Sequence, residues 1–286
     1  TKTTRLESKI TALKKEMARL KKLGVRMLKA PDQQISETDP DARSMATSGR
    51  GTGMVGYNVQ TAVDAKHHLI VAHEVTNQGY DRAQLHNMAS QVKEVLGANE
   101  LEVVADRGYF KGEEILACEE DGISVYLPRP QTSRSVKKGL FSKRDFIYHT
   151  EADEYECPAG ERLIWRMQRE EGGLMLHRYW SSNCERCAIK AQCTTSKERR
   201  VTRWEHEEVL EAMERRLDEE PERMRVRRCT SEHPFGTLKS WMGHTHFQMR
   251  TLKHVSTEMS LHVLAYNMKR AISILGVKSL LAAMQA

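Results

Sequence analysis

Long apolar runs are what this sequence most plainly lacks. None of its 286 residues lies in a stretch approaching the roughly 18 apolar positions that a bilayer-crossing helix needs, and the opening TKTTRLESK has no apolar core of the signal-peptide kind. A membrane-spanning or secreted chain is therefore not expected. Cysteine is scarce too. Six in a chain of this length are too few for a disulfide framework and fit a reducing compartment, where clustered thiols more often hold metal. Nor does one sign of charge dominate: 45 basic against 39 acidic residues leave +6, which permits a nucleic-acid partner without requiring one. There is no internal repeat, and no initiator Met, so Thr1 reads as a processing product or a cut. The length allows one large or two ordinary domains.

What is present begins with Leu6, Ile10, Leu13, Met17 and Leu20, spaced alternately by four and three with Lys and Glu between them. That pattern is an amphipathic helix of coiled-coil type, too short for a secure coiled coil and better read as one arm of a helical hairpin. Residues 31 to 53, rich in Asp, Ser, Thr and Gly, read as a loop. Alternation from Tyr57 to Val63, a turn at Asp64 to His68 and the run Leu69 to Ala72 predict a β-hairpin. Asp81 is placed to cap a helix that Gly97 stops. A short strand at Leu101 to Ala105 delivers Asp106 to its carboxyl end; a helix over Glu113 to Glu120 and a strand at Ile123 to Leu127 follow. Strand pair, helix, strand, helix, strand is a mixed α/β pattern. From 131 to 200 basic loop residues (Arg134, Lys137, Lys138, Lys143, Arg144), short β-like pieces and a cysteine cluster suggest an inserted subdomain; 201 to 286 reads as helical. The surplus positive charge is expected in the loop 134 to 144 and the helix 223 to 239.

Two carboxylates draw attention. Asp106 sits where ligand groups converge in open α/β sheets, although an Asp capping its own turn is the plainer reading. Arg228 and Glu232 share a helix face, with Lys239 two turns on; alone, such a triplet is usually a solvated ion-pair face. Paired carboxylates beside cations are nevertheless what a divalent metal needs for chemistry at a phosphate.

The segments YNVQ through Val63-Asp64, VADRGY at 104 to 109, and Arg228 through SEHPFGTLK at 231 to 239 together resemble insertion-sequence transposases of the DDE type from bacteria, over Asp39 to about Gly276. The resemblance implies an RNase H-like fold: a mixed sheet flanked by helices, with an N-terminal helical arm (1 to 30), catalytic segments at 31 to 130 and 201 to 286, and a zinc-ribbon-like insertion at 131 to 200. It implies three carboxylates holding Mg²⁺ (or Mn²⁺) for hydrolysis and strand transfer at transposon ends, with Asp106 and Glu232 as the second and third. Arg228 and Lys239 match the flanking basic residues, and His233 is placed to touch DNA. The family's aromatic residue three positions before that Arg is Arg225 here. Double-stranded DNA, a homodimer on that DNA and a cytoplasmic, nucleoid-associated location are implied as well. The first carboxylate of the family stands in an Asp-Gly-Thr or Asp-Ser-Thr context that no segment of this sequence contains, and Asp64 is a weak substitute. The expectation is that its strand lies upstream of Thr1 and that the chain as it stands does not cleave. Two alternatives remain, an RNase H-like nuclease without strand transfer and a zinc-containing DNA-binding protein without catalysis.

Cys184 and Cys187 form a CxxC, Cys193 follows six residues later, and Cys157 precedes them in ECPAG. Four thiolates in two groups suit structural Zn²⁺, against a metal-free or redox CxxC. Cys118 and Cys229 fall in helical patterns and are read as buried thiols. The histidines, His67, His68, His244 and His246 among them, show no metal-site spacing.

Overall fold

A computed structural model describes residues 2–45, 53–131 and 135–285, with only the backbone at Met284. In chain order the regular elements begin with α1 (Lys2–Lys29), β1 (Arg43–Met45), β2 (Met54–Gly56), β3 (Asn58–Val63), β4 (Ile70–Thr76), α2 (Leu85–Leu96), β5 (Leu101–Val104), α3 (Gly112–Glu120) and β6 (Ile123–Tyr126). There follow β7 (Ile147–His149), β8 (Glu154–Glu156), β9 (Arg162–Glu171), β10 (Leu174–Trp180), α4 (Lys190–Cys193), β11 (Val201–Trp204) and α5 (Glu207–Glu219). The chain closes with α6 (Arg223–Gly236), α7 (Leu252–Leu275) and α8 (Val277–Gln285). No helix among the described residues is long and apolar enough to cross a membrane. The chain divides into two compact units, one of residues 1–125 with 220–286 and the other of residues 126–219.

In the first unit β3 and β4 pair antiparallel from Asn58↔Thr76 to Val63↔Ile70. Their turn is closed by Asp64, whose carboxylate accepts the N–H of His67 at 2.5 Å, while His68 takes the left-handed conformation (φ 57°). The core gathers Ile70 and Val75 of β4 with Val255, Met259, Val263 and Tyr266 of α7 and Leu238. A second cluster sets Ala72 of β4 against Met88 and Val92 of α2. Asn267 fastens α7 to β4: its amide accepts the Ile70 N–H at 2.9 Å and donates to the Ile70 carbonyl at 2.8 Å. The segment before β1 caps the start of α7, Asp39 accepting from Thr251 N and from Tyr57 Oη, Asp41 from Leu252 N. α2 ends as its sequence predicts, on Gly97 with φ 60°.

Three expectations are corrected in this unit. No residue of α1 is buried, and Leu6, Ile10, Leu13, Met17 and Leu20 are all exposed, so the second arm of a helical hairpin is not among the described residues. Asp81 does not cap α2: Gln84 holds the N-cap position without a side-chain hydrogen bond, and the Asp81 carboxylate is used elsewhere. The mixed α/β character stands, but the strands do not join into a single sheet. β3–β4 and β5–β6 are separate two-stranded ladders among the described residues, and α6 packs on both β3 and β5.

The second unit is an antiparallel meander of order β11-β10-β9-β8-β7, with α5 after it. Phe146, Tyr155, Leu163, Tyr179 and Val201 fill its core. The hydroxyls of Tyr148 and Tyr179 both donate to Asp153 Oδ1, at 2.7 and 2.6 Å. α5 is bound to this unit through charge. Glu207, 3% exposed, lies 2.8 Å from Arg129 and 2.7 Å from Lys143 and accepts the Trp204 N–H at 3.0 Å; Glu214 meets Arg129 and Arg144. Lys143 and Arg144, expected as free basic loop residues, are therefore committed to α5. Arg134 lies outside the described residues, and Lys137 and Lys138 are exposed.

Candidate functional site

Asp106 leaves β5 in extended conformation and opens a 3₁₀ turn over Arg107–Tyr109, its Oδ1 accepting the Gly108 N–H at 2.6 Å. A Cβ at 108 would stand 2.8 Å from Asp106 Oδ1 and 3.5 Å from Asp81 Oδ2, so any side chain there displaces the Asp106 carboxylate from its turn. Two carboxylates thus flank one backbone turn. Asp81 Oδ1 accepts from Asn58 Nδ2 and Gln60 Nε2, each at 2.7 Å, and the Tyr109 hydroxyl donates to the carbonyl oxygen of buried Gln60. Burial first, then the charges of Asp81 and Asp106, push the Tyr109 phenol well above its ordinary pKa, so it stays a donor. The cation of the site is Arg227, whose Nη1 lies 3.5 Å from Asp106 Oδ2, while the Asp106 side chain remains 47% exposed. Sequence reasoning missed both Asp81 and Arg227. The usable signal was the alternation that sets Asn58 and Gln60 on one face of β3, two amides in need of an acceptor.

α6 turns four residues inward at helical spacing: Arg223, whose Nη1 meets Glu102 at 2.9 Å, Arg227 on Asp106, and the buried Thr230 and Pro234. Glu232 lies five residues after Arg227, about 140° around the helix axis. It is exposed and has no hydrogen bond or ion pair among the described residues. Arg228 is exposed beside it, and Lys239, in the π-helical turn Thr237–Trp241 that follows α6, sets its Nζ 5.8 Å over the Phe235 ring. His233 faces inward. Tyr266 donates its hydroxyl to the His68 carbonyl at 2.6 Å, leaving its oxygen to accept from His233 Nδ1 at 2.9 Å, and burial lowers the His233 pKa. Its imidazole, half-buried, lies against Tyr266 and His68 in this arrangement. Asp64 sits four residues along β3 from Gln60, about 13 Å at strand rise, and serves its own turn.

In this arrangement the Asp106 carboxylate is held by the Gly108 N–H and Arg227, and Glu232 stands exposed five residues further along α6; two ions about 3.5 to 4 Å apart need a bridging group.

In the second unit Cys157, Cys184, Cys187 and Cys193 line one cavity with Phe141 and Leu163. The ECPAG segment makes a tight turn in which Gly160 N–H bonds the Cys157 carbonyl at 2.8 Å, and the CxxC is bound by Cys187 N–H to Cys184 O. Burial, the largest influence, raises the Cys193 thiol. The donor chemistry fits zinc, although the sulfurs are not closed to ligand distance: the group of three or more ligand atoms within 4.8 Å of one another among the described residues lies elsewhere. Cys118 is buried on α3, its pKa pushed up to about 12 chiefly by desolvation, as read from sequence; Cys229 is exposed on α6, correcting that reading.

Residues 26–268 match the transposase DDE domain family. No curated protein and no solved structure matches the chain. The match covers more than half of the sequence and includes both the β5 end and α6, and on that ground the chain belongs to the family of DDE transposases.

Proposed function

We propose that this chain acts on double-stranded DNA as a transposase with an RNase H-like fold, carrying out metal-dependent phosphodiester hydrolysis and strand transfer at insertion-sequence ends. The observation that carries the reading is Asp106 at the carboxyl end of β5, half exposed, with an arginine on its carboxylate, inside a chain of this family. Asp106 and Glu232 are its carboxylates for Mg²⁺ or Mn²⁺, and Arg228 and Lys239 its exposed cations for the phosphate backbone. The pairing of Arg227 with Asp106 is the resting arrangement, and a competent one requires α6 to turn Glu232 toward β5.

A third carboxylate belongs to the same reading. β3 and β5 each have one ladder partner among the described residues, and a strand between them would join the two ladders and bring an acidic side chain to Asp106. Until that group is supplied, the chain alone binds DNA and does not cut it. The four cysteines are proposed to hold one structural zinc that folds their small subdomain. Homodimers on DNA in the cytoplasm complete the reading.

A second reading, a DNA-binding protein without catalysis, is favoured by the ion pair that Arg227 makes with Asp106. Nicking and joining assays on duplexes carrying the element's flanking DNA separate the two. Binding without turnover by the chain, turnover once an Asp-bearing strand segment is added, and its loss in Asp106→Ala or Glu232→Ala are expected. Turnover that survives Asp106→Ala would sink the catalytic assignment, and no turnover with the added segment would favour the second reading.

A further inference from the structure

A second chemistry-bearing cluster shares no residue with the Asp106 site. His244, in the loop before α7, and Glu258 and His262, one turn apart on α7, present Nδ1, a carboxylate oxygen and Nε2 within 4.8 Å of one another. Glu258 Oε1 stands 3.9 Å from both ring nitrogens, and the two imidazoles stack at 3.5 Å between centroids. The carboxylate is 8% exposed and the rings 11% and 26%, so water has limited access. Neither imidazole makes a hydrogen bond to another described residue, although both direct a nitrogen at the same carboxylate. The carboxylate and the two ring nitrogens thus converge at a separation too long for hydrogen bonds and too short for the groups to be independent.

We infer that His244, Glu258 and His262 form a three-ligand site for a zinc-class divalent cation. The donor set is the one such ions prefer. Two imidazole nitrogens and a carboxylate oxygen suit Zn²⁺ over Mg²⁺, which favours oxygen alone. The i, i+4 spacing of Glu258 and His262 places two ligands on one helix face. Tetrahedral ligands at about 2.0 Å from zinc lie about 3.3 Å apart, so the two 3.9 Å carboxylate–imidazole separations close with shifts of about half an ångström, and the ring nitrogens, within 4.8 Å of each other, with a modest rotation of the rings. The carboxylate is already oriented: the Gln248 N–H reaches both its oxygens at 2.9 and 3.0 Å, and the Met249 N–H reaches Oε2 at 2.8 Å. Such outer hydrogen bonds fix a ligating carboxylate in place. The fourth position is open to water. A cation there pins the loop after the π-helical turn to α7, and so ties the chain leaving the Glu232 helix to the core. Sequence reading passed over these histidines because His244 and His262 are 18 residues apart and only folding joins them.

The test uses the full chain, stripped with chelator and titrated with zinc alone while zinc content and melting temperature are followed. His244→Gln and His262→Gln are each expected to hold one equivalent fewer than the unsubstituted chain and to lose part of the zinc-dependent rise in melting temperature. His86→Gln, a surface histidine on α2, is expected to change neither. Any zinc on the cysteines is common to all these proteins and drops out of the difference. X-ray absorption at the zinc edge of the Cys184→Ser, Cys187→Ser double variant is expected to show nitrogen and oxygen neighbours around the remaining ion. Unchanged zinc content in both histidine variants, or no zinc in the double variant, overturns the site and leaves a proton-linked His–Glu cluster in its place.

Discussion

At the scale of single residues, Glu207 sets the clearest quantity. Arg129, Lys143 and the Trp204 N–H overcome the desolvation of its carboxyl and bring its pKa to about 2. Burial also pulls the Lys143 ammonium down, an effect that Glu207 only partly offsets. Because the folded pKa lies below the unfolded one, Glu207 stabilises its unit fully above about pH 4.5 and loses that contribution as pH falls toward 2. The shift corresponds to about 3 kcal/mol. Urea denaturation from pH 7 to pH 3 is expected to show this decline, and Glu207→Gln to flatten it while costing about 3 kcal/mol at neutral pH, because Lys143 loses its carboxylate and Arg129 keeps only Glu214. Asp81 gives a second expectation. Asp81→Ala strands the Asn58 and Gln60 amides and is expected to cost about 2 to 3 kcal/mol of stability in urea denaturation, with Asp81→Asn, which keeps an acceptor, losing less. Asp106 was legible in sequence because a strand end is a local feature. The partners Asp81 and Arg227 were not, since their roles depend on which helix face meets which strand.

Among the elements, α1 changes where the charge of the molecule resides. It carries ten Lys and Arg against two Glu, a surplus of eight where the whole chain has six, and none of it is buried. The positive field expected from residues 134 to 144 and 223 to 239 therefore sits chiefly on one exposed helix, because Lys143 and Arg144 are neutralised by Glu207 and Glu214, and Arg223 by Glu102 and Glu220. Replacing Lys14, Lys15, Lys21 and Lys22 with Gln is expected to lower the slope of log affinity for duplex DNA against log salt, by about 0.9 for every phosphate no longer neutralised, with the melting temperature unchanged. An unaltered slope would mean that α1 does not meet phosphate. Periodicity found most helices and strands of the first unit, since 3.6- and 2-residue patterns are written locally, but it missed the short β1, which lies within residues 31 to 53 read as a loop, as well as β2 and α8. It could not show that α6 lays Arg227 rather than Glu232 toward β5, a matter of helix rotation settled by the burial of Thr230 and Pro234.

For the molecule as a whole, two units with separate cores imply two unfolding events. Calorimetry at pH 7 is expected to resolve two transitions, of which Glu207→Gln lowers one and Asp81→Ala the other; a single transition shifted by both substitutions would contradict this. The composition change near 131 announced the second unit, but its reach to 219 depends on α5 supplying the carboxylates for Arg129, Lys143 and Arg144. The Asn267 amide on Ile70 bears on how the chain comes into being. Its two hydrogen bonds span 197 residues, as does the Tyr266 hydroxyl on the His68 carbonyl across 198. At translation rates of about 5 to 20 residues per second, the β3–β4 hairpin leaves the ribosome roughly 10 to 40 seconds before the helix that covers it. The meander of residues 126–219, which forms from one continuous stretch, has time to finish in that interval, and the hairpin, with α2 already at hand for Ala72, must wait with Ile70 and Val75 uncovered for α7 to arrive.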